Sequence, residues 1–292
     1  MPGRALTPFQ AAVQAWGESH RRDLPWRATR DPWAVLVSEL MLQQTQVTRV
    51  VPCWRAFLAR FPSAAACARA PAGDVVRAWE GLGYNRRALN LHRAAQAVVE
   101  RHGGALPPDL DALRALPGVG PYTARAVLAY AFEADVGLVD TNTARVLARA
   151  VRGRALTAAE AQATADAAVP AGSGWAWNQA LVDLGATTCT KRAPACGRCP
   201  VSETCAWATS GWARPDPAVG TAGSGSRQST FAGSDRQGRG RLVAALRRGP
   251  VALADLAAAS GWPSDPERAR QVAATLLADG LARQADGALH LP

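Results

Sequence analysis

Apolar residues recur every three or four positions through most of residues 1–207, the signature of helices that bury one face. Glycine and proline fall between most of the periodic stretches and serve as breaks. The pattern predicts about ten short helices, over 9–19, 32–44, 46–60, 73–79, 85–102, 110–116, 122–132, 143–152, 158–169 and 175–184. Strand-like alternation is scarce, and no repeat of fixed period is found. The pattern stops at 208–240, where Pro215, Pro217, Gly220, Gly223, Ser224, Gly225 and Ser226 read as a flexible linker. It resumes with helices predicted at 241–248, 253–259 and 265–279. Residues 281–291 then read as a hairpin around Asp286-Gly287. Three helices and a hairpin look like a winged helix. The expected fold class is all-α.

Composition narrows the function. The chain has 292 residues, 48% of them hydrophobic, which is enough to bury a core and excludes a wholly disordered chain. No apolar run approaches the roughly 18–20 residues a bilayer needs. Residues 1–10 carry Arg4 and Pro8 without an apolar stretch, so no secretory leader is expected and the cytoplasm is the expected compartment. The formal charge of +10 points to a polyanion, nucleic acid before membrane. The charge is uneven: +7 lies in residues 1–207, +2 in the linker and +1 in the tail. A solvated basic surface is the plainer alternative. Lys191 is the only lysine, so nearly all of the basic charge is arginine.

Four cysteines, Cys189, Cys196, Cys199 and Cys205, follow the spacing C-x6-C-x2-C-x5-C. Four thiols in so short a loop can converge on one centre, and a cytoplasmic setting disfavours disulfides. Spacing alone leaves zinc and a cubane iron–sulfur cluster open. Cys53 and Cys67 stand in apolar helical contexts and read as core. Leu116-Pro-Gly-Val-Gly-Pro-Tyr122 separates two predicted helices. Gly118 and Gly120 allow a tight turn with exposed backbone, and a helix starting near Pro121 offers free N–H groups to a phosphate. A plain corner between helices would look similar. Glu39 is the lone acid in an apolar helix; burial there would raise its pKa and suit a general acid, unless it reaches solvent on the polar face. Asp140 precedes a predicted helix, where the dipole favours the ionised form, though an ordinary N-cap would look the same. A protonated and an ionised carboxylate together would make an acid and an electrostatic stabiliser.

The stretches Ser38-Glu-Leu-Met-Leu-Gln-Gln-Thr-Gln-Val47, Trp79-Glu-Gly-Leu-Gly-Tyr84, Leu116-Pro-Gly-Val-Gly120, Asp140-Thr-Asn142 and the four cysteines resemble, in order and spacing, the adenine DNA glycosylases of the MutY family. The resemblance covers roughly residues 6–207. It implies a two-part helix-hairpin-helix glycosylase core with an iron–sulfur loop, followed here by a small C-terminal winged-helix-like domain. The implied modules are a six-helix barrel over 28–132 with the hairpin, a cluster module of 1–27 and 133–207, the linker 208–240, and the tail 241–292.

The family excises adenine mispaired with 8-oxoguanine or guanine in duplex DNA. The resemblance implies that Glu39 protonates adenine N7, that Asp140 stabilises the oxocarbenium-like sugar, that Tyr122 shields that cation, and that Asn142 supports Asp140 and the water. It makes Gln44 the wedge in the helix and sets Thr45, Leu82 and Tyr84 around the orphaned 8-oxoguanine. Gly118, Val119 and Gly120 would hold the DNA backbone, and a monovalent cation can sit on the turn carbonyls. Arg22, Trp26, Arg27 and Gln179 would line the adenine pocket. It also decides for a 4Fe–4S cluster on the four cysteines. The implied partner is double-stranded DNA with an A:8-oxoguanine mismatch, bound by a monomer in the cytoplasm among the nucleoid, with no membrane.

The related glycosylase/lyases carry a lysine for a Schiff base where this chain has Tyr122, so a monofunctional glycosylase is expected. Two departures from the family pattern flank key residues: Thr141 stands for the usual glycine, and Asn85 for a tyrosine. The 52 residues after Gly240 are too few for the Nudix-like domain most members carry there. The segment 229–236 resembles one in shortened, actinobacterial-type members, and reads as a tether or as a DNA-inserting element. The rival readings are a thymine or uracil mismatch glycosylase of the same superfamily, and a DNA-binding iron–sulfur regulator.

Overall fold

The computed structural model describes residues 5–223 and 230–292. The linker positions Ser224, Gly225 and Ser226, the first residue of the 229–236 segment and the N-terminal Arg4 lie outside the described residues. The helices are α1 (Pro8–His20), α2 (Pro32–Leu42), α3 (Val47–Arg60), α4 (Ala64–Arg69), α5 (Ala72–Ala78), α6 (Arg86–His102), α7 (Leu110–Arg114), α8 (Pro121–Ala131), α9 (Thr141–Val146), α10 (Ala158–Ala168), α11 (Gly174–Thr187), α12 (Ala206–Thr209), α13 (Asp235–Arg248), α14 (Leu256–Ser260) and α15 (Pro266–Asp279). Three short strands, β1 (Val251–Ala252), β2 (Arg283–Ala285) and β3 (Ala288–His290), form one antiparallel sheet in the order β1-β3-β2. The fold is all-α with a small sheet in the tail.

Local chemistry sets most helix ends. Thr7 with Gln10 and Thr157 with Glu160 form capping boxes that start α1 and α10. Proline opens α1, α8 and α15, where its missing N–H costs nothing. Gly103, Gly261 and Gly280 end α6, α14 and α15 in the left-handed conformation. Sequence periodicity misses α4, a six-residue helix capped by Ser63, because it is too short to show a period. The helix expected over 143–152 begins two residues earlier and changes after Val146 into a π-helical turn, Leu147–Arg152.

The chain divides into two compact units. The first comprises 1–32, 108–110 and 120–227. Its core is Val13, Leu147, Leu156, Trp177, Leu181 and Leu184, where α1 lies along α11. Phe9 meets the Trp177 ring edge-on at 5.8 Å. The second comprises 33–107, 111–119 and 228–292. Its core includes Leu36, Leu40, Met41, Phe57, Trp79, Leu91 and Leu113. Trp33 Nε1 donates to the Phe61 carbonyl and Trp54 Nε1 to that of Ala34, each at 2.9 Å, so both buried indoles are satisfied.

The described parts of the expected linker, 208–223 and 230–240, are held by specific contacts. Asp216 pairs with Arg149, Leu156 N donates to Thr221 Oγ1 at 3.1 Å, and α13 already begins at Asp235. Composition alone hid this, because the ordering partners lie far away in sequence.

The tail is a winged-helix-like arrangement of α13, α14, α15 and the sheet. Asp286 and Gly287 both have positive φ, 50° and 70°, as a tight two-residue hairpin requires. The stretch expected as helix from 253 opens as a 3-10 turn, and Val251–Ala252 becomes a third strand paired with β3. Within the second unit the tail docks on α5 and α6. Gly73 N donates to the Pro292 carbonyl at 2.9 Å, Arg247 donates to Val76 O at 3.1 Å and to Asn85 Oδ1 at 2.8 Å, and Arg86 pairs with Asp279 at 3.4 Å. Asn85, unusual in the family pattern, thus plays a local part, since its short amide reaches the guanidinium of Arg247.

Gly238 packs against the Trp262 indole, and a Cβ there would overlap the ring. Arg268 stacks 4.1 Å from the ring centroid, so the indole has little freedom to retreat. Gly238→Ala is expected to cost about 1–3 kcal/mol by overpacking. Differential scanning calorimetry should show a transition several degrees lower; an unchanged midpoint would contradict this packing.

Candidate active site and cysteine centre

Asp140 is extended (φ −102°, ψ −176°) just before α9, which turns its carboxylate back over the helix start. Oδ1 accepts from Asn142 N at 3.0 Å and Thr143 N at 2.7 Å, and Oδ2 from Asn142 Nδ2 at 2.9 Å. Asn142 Oδ1 accepts from Arg145 Nη2 at 2.9 Å, which fixes the amide with its NH2 toward Asp140. Arg145 also donates to the carbonyls of Thr141, Gly185 and Cys189. A continuous set of hydrogen bonds therefore joins the Asp140 carboxylate to the backbone of the first loop cysteine. Tyr122, in the first turn of α8, is half-buried.

Glu39 lies in the second unit, on α2, with 6% of its surface exposed. Its neighbours along the helix, from Trp33 to Met41, are buried too. The alternative of a solvent-facing Glu39 is thereby removed.

The end of α2 has no glycine cap. Arg87, on α6, serves instead. Its Nη1 donates to the carbonyls of Leu40, Met41 and Gln43 at 2.6, 3.0 and 2.6 Å. Its Nη2 donates to Thr45 Oγ1 at 3.0 Å and to the carbonyls of Leu82 and Gly83 at 3.1 and 3.2 Å. Burial lowers the Arg87 pKa to about 10, against an opposing pull from Tyr84, so it stays charged at neutral pH. Gln44 and Tyr84 flank these anchors with positive φ of 56° and 46°, and both are exposed. Such conformations persist where surroundings over-determine them, often at functional sites. Leu82 is 3% exposed, so its side chain belongs to the core and its carbonyl to Arg87.

In the hairpin, Gly118 and Gly120 are exposed while Val119 is buried, so any external contact from Val119 is through backbone. Gly118 has φ +78°, and a Cβ there would fall 2.6 Å from Asn90. Gly120 precedes α8 in extended conformation.

Of the four residues expected around a base pocket, Trp26 and Gln179 are buried. Arg22 and Arg27 are engaged by Asp183, itself fully buried. Arg22 Nε lies 2.6 Å from Asp183 Oδ1, and Arg27 Nη1 2.7 Å from Oδ2. Burial by itself would raise the Asp183 pKa. The Arg27 bonds and the Arg22 backbone N–H more than offset it and hold the carboxyl below its usual range.

Cys189, Cys196, Cys199 and Cys205 line one apolar pocket together with Val146, Leu184 and Trp207. All four are free thiols. Among the described residues, no three His, Cys, Asp or Glu side chains form a group suited to a single metal ion. Burial raises the thiol pKa of Cys189 and Cys199, with Arg149 opposing at Cys189. Arg149, on the π-helical turn, is 2% exposed and donates to Cys189 Sγ at 3.4 Å and to the Thr190 and Lys191 carbonyls. Its charge is balanced by Asp216 through bonds of 2.9 and 2.6 Å, and its guanidinium lies 5.0 Å from the Trp207 ring centroid. A four-thiol donor set with a buried cation beside one sulfur fits an anionic cluster.

Sequence reasoning missed Arg87, Arg145, Arg149, Asp183 and Asp216. Only Arg145 and Arg149 carried a signal, since they fall three and seven positions after Asn142, on one face of the expected helix.

Residues 37–170 match the family model described as HhH-GPD superfamily base excision DNA repair protein. The chain is 44% identical over 294 residues to the adenine DNA glycosylase of Mycolicibacterium smegmatis, covering 98% of this chain and 96% of that one. It is 38% identical over 214 residues to the human adenine DNA glycosylase, covering 68% of this chain and 39% of that one. Among solved structures, a thermostable thymine-DNA glycosylase aligns with TM-score 0.64 at 29% identity, over 69% of this chain and 95% of that one. A trapped endonuclease III–DNA covalent intermediate aligns with TM-score 0.61 at 21% identity, over 72% of this chain and all of that one, a likeness of fold.

Asp183 links stability to pH. With its folded pKa below the unfolded value of about 3.9, it stabilises at neutral pH, and the contribution is lost as pH falls through the folded value. Asp183→Asn, which strands two guanidiniums, should cost about 3–5 kcal/mol at pH 7. Urea unfolding at pH 7, 5 and 3 should show the gap to the parent protein shrinking below about pH 4. A gap constant with pH would refute the linkage.

Proposed function

The chain belongs to the adenine DNA glycosylase family of HhH-GPD base excision repair enzymes, which hydrolyse an N-glycosidic bond, and we propose that it removes adenine paired with 8-oxoguanine or guanine in duplex DNA. The observation that carries the reading is the Asp140 carboxylate, held by three hydrogen bonds and backed by Asn142 and Arg145, in a chain that also buries Glu39. Two carboxylates in such unlike surroundings suit an acid and a charge stabiliser.

Adenine must leave the stack to be reached. Glu39 in its protonated form gives its proton to adenine N7, which makes the base a better leaving group. As the C–N bond lengthens, positive charge grows on the sugar. The Asp140 carboxylate, unable to rotate away from its three donors, stabilises that charge. Tyr122 shields the same face, and Asn142 positions Asp140 and the water, which adds to the sugar cation at C1′ and gives its proton to the carboxylate that Glu39 became on protonating the departing adenine. Trp26 and Gln179 bound the adenine site, while Arg22 and Arg27 act on it through Asp183, which takes up their charge. The exposed glycines Gly118 and Gly120 let phosphate approach backbone N–H groups, and the turn carbonyls can take a monovalent cation.

Cys189, Cys196, Cys199 and Cys205 would hold a 4Fe–4S cluster, which supplies a rigid cross-link to the loop carrying Lys191, Arg192 and Arg198. The single lysine, Lys191, lies in that loop, and Tyr122 occupies the position where a lyase has its amine. Base release without strand cleavage follows.

The test uses duplexes with A opposite 8-oxoguanine, A opposite G, and T opposite G, followed by alkali. Adenine should be lost from the first two only. Release from T:G alone would favour a thymine glycosylase, and binding without release a regulator. Glu39→Gln should retain DNA binding and lose about 10²–10⁴-fold in single-turnover rate, the usual worth of a general acid. Borohydride should trap no covalent protein–DNA adduct; a trapped adduct would overturn the monofunctional assignment.

A further inference from the structure

Every N–H of the buried Arg149 guanidinium is engaged. Nε donates to Asp216 Oδ1 at 2.9 Å, Nη1 to Cys189 Sγ at 3.4 Å and the Thr190 carbonyl at 2.8 Å, and Nη2 to the Lys191 carbonyl at 3.2 Å and Asp216 Oδ2 at 2.6 Å. The Trp207 ring lies against its face. The group has one orientation in which all of these bonds form together, and Asp216 supplies two of them.

That carboxylate comes from outside the cysteine loop. Asp216 stands on the segment that follows the last cysteine, and the segment is docked by its own contacts. Ala218 N donates to Asp216 Oδ1 at 2.9 Å. Thr221 Oγ1 donates to the Pro217 carbonyl at 2.6 Å and accepts from Leu156 N at 3.1 Å, and Ala222 N donates to Leu156 O at 2.9 Å. Ala218 and Thr221 are buried.

The charges of the cysteine loop itself differ in kind. Lys191, Arg192, Arg198 and Glu203 are exposed, where water and salt screen them. Arg145 donates to the Cys189 carbonyl, whereas Arg149 donates to the Cys189 sulfur. Arg149 therefore places a buried positive charge at a ligand atom, and Asp216 cancels it. The potential of an iron–sulfur centre follows its net charge and the hydrogen bonds to its sulfurs. A cation beside the sulfur favours the reduced form, which carries the extra electron, and a carboxylate behind the cation opposes it.

We propose that Asp216 is a positioning residue for the cysteine centre: it seats Arg149 on Cys189 Sγ and cancels its charge, so that the neutral pair sets the potential of the cluster. This rests on the reading of the four cysteines as a 4Fe–4S site. The segment after the cysteines is then part of the electrostatic surroundings of the cluster rather than a tether.

The test is protein-film voltammetry on the full-length, cluster-loaded protein without DNA. Asp216→Asn keeps the shape and removes the charge, so the potential should move positive. Arg149→Gln removes the cation and the donor to sulfur, so it should move negative, and the double variant should fall between the two. Asp216→Glu should return the parent potential. Thr221→Val removes another anchor of the segment without changing charge and should leave the potential where it was. An unmoved Asp216→Asn, shifts of the same sign in Asp216→Asn and Arg149→Gln, or a Thr221→Val shift as large as that of Asp216→Asn would each overturn the proposal. If Arg149→Gln assembles no cluster, the Asn, Glu and Thr221 variants still decide. Iron and sulfide content of the parent protein is measured first. A parent without iron refutes the cluster reading and the proposal with it, while the voltammetric outcomes in a loaded parent bear on Asp216 alone.

Discussion

The buried guanidinium of Arg87 is the constraint on which the edge carrying Gln44, Thr45 and Tyr84 depends. A helix end leaves carbonyls without intrahelical partners, and those of Leu40 and Met41 belong to buried residues at the end of α2. Arg87 answers with contacts to Leu40, Met41, Gln43, Thr45, Leu82 and Gly83. One planar group thereby fixes the end of the helix carrying Glu39, the turn carrying Gln44, and the loop carrying Tyr84. A lysine could not replace it, since an ammonium has three donors on one atom and no fork. The left-handed backbone of Gln44 and Tyr84 is tolerable because both neighbouring segments are tied to the same anchor.

The same device recurs around Asp140 and the cysteines. Arg145 bridges Asn142 to the Cys189 carbonyl, and Arg149 bridges Cys189 Sγ to Asp216. Burial would lower the Arg149 pKa, but the Asp216 bonds outweigh it and leave it raised. Arg22 and Arg27 share Asp183, and Arg247 pins the tail. These arginines change the meaning of the basic charge. Much of the excess in residues 1–207 is internal wiring, so the surface that meets DNA is less basic than the formal count suggests. Arginine enrichment, first a matter of composition, becomes a structural resource.

Much of the molecule was legible along the chain. The helices of the first 207 residues stand where period and breakers put them, usually within two residues. Capping by Asp140 also follows from local pattern, as does the Asp286-Gly287 hairpin, whereas the pattern left Glu39 open between burial and the polar face and the packing of α2 buries it. The errors were of two kinds. The four-residue α12 and six-residue α4 are shorter than a measurable period, and the 3-10 start after Val251 broke a stretch that looked uniformly helical. The linker was overextended because Gly and Pro content reports local flexibility, not distant partners such as Arg149.

The sequence by itself determined the helical class, the two carboxylates, the four-thiol loop and the absence of a lysine nucleophile at the Tyr122 position. Each of these is a property of residue identity or of spacing within a few turns. Only the tertiary structure decided that Asp183 takes the charge of Arg22 and Arg27, that Arg87 holds three segments together, and that Phe231 shares a cleft with Gln44 and Tyr84. Apart from the Arg87 contacts to Leu82 and Gly83, those partners lie from about 40 to about 190 residues apart. No local period encodes such pairings; they arise when buried charges must find acceptors after the helices have packed.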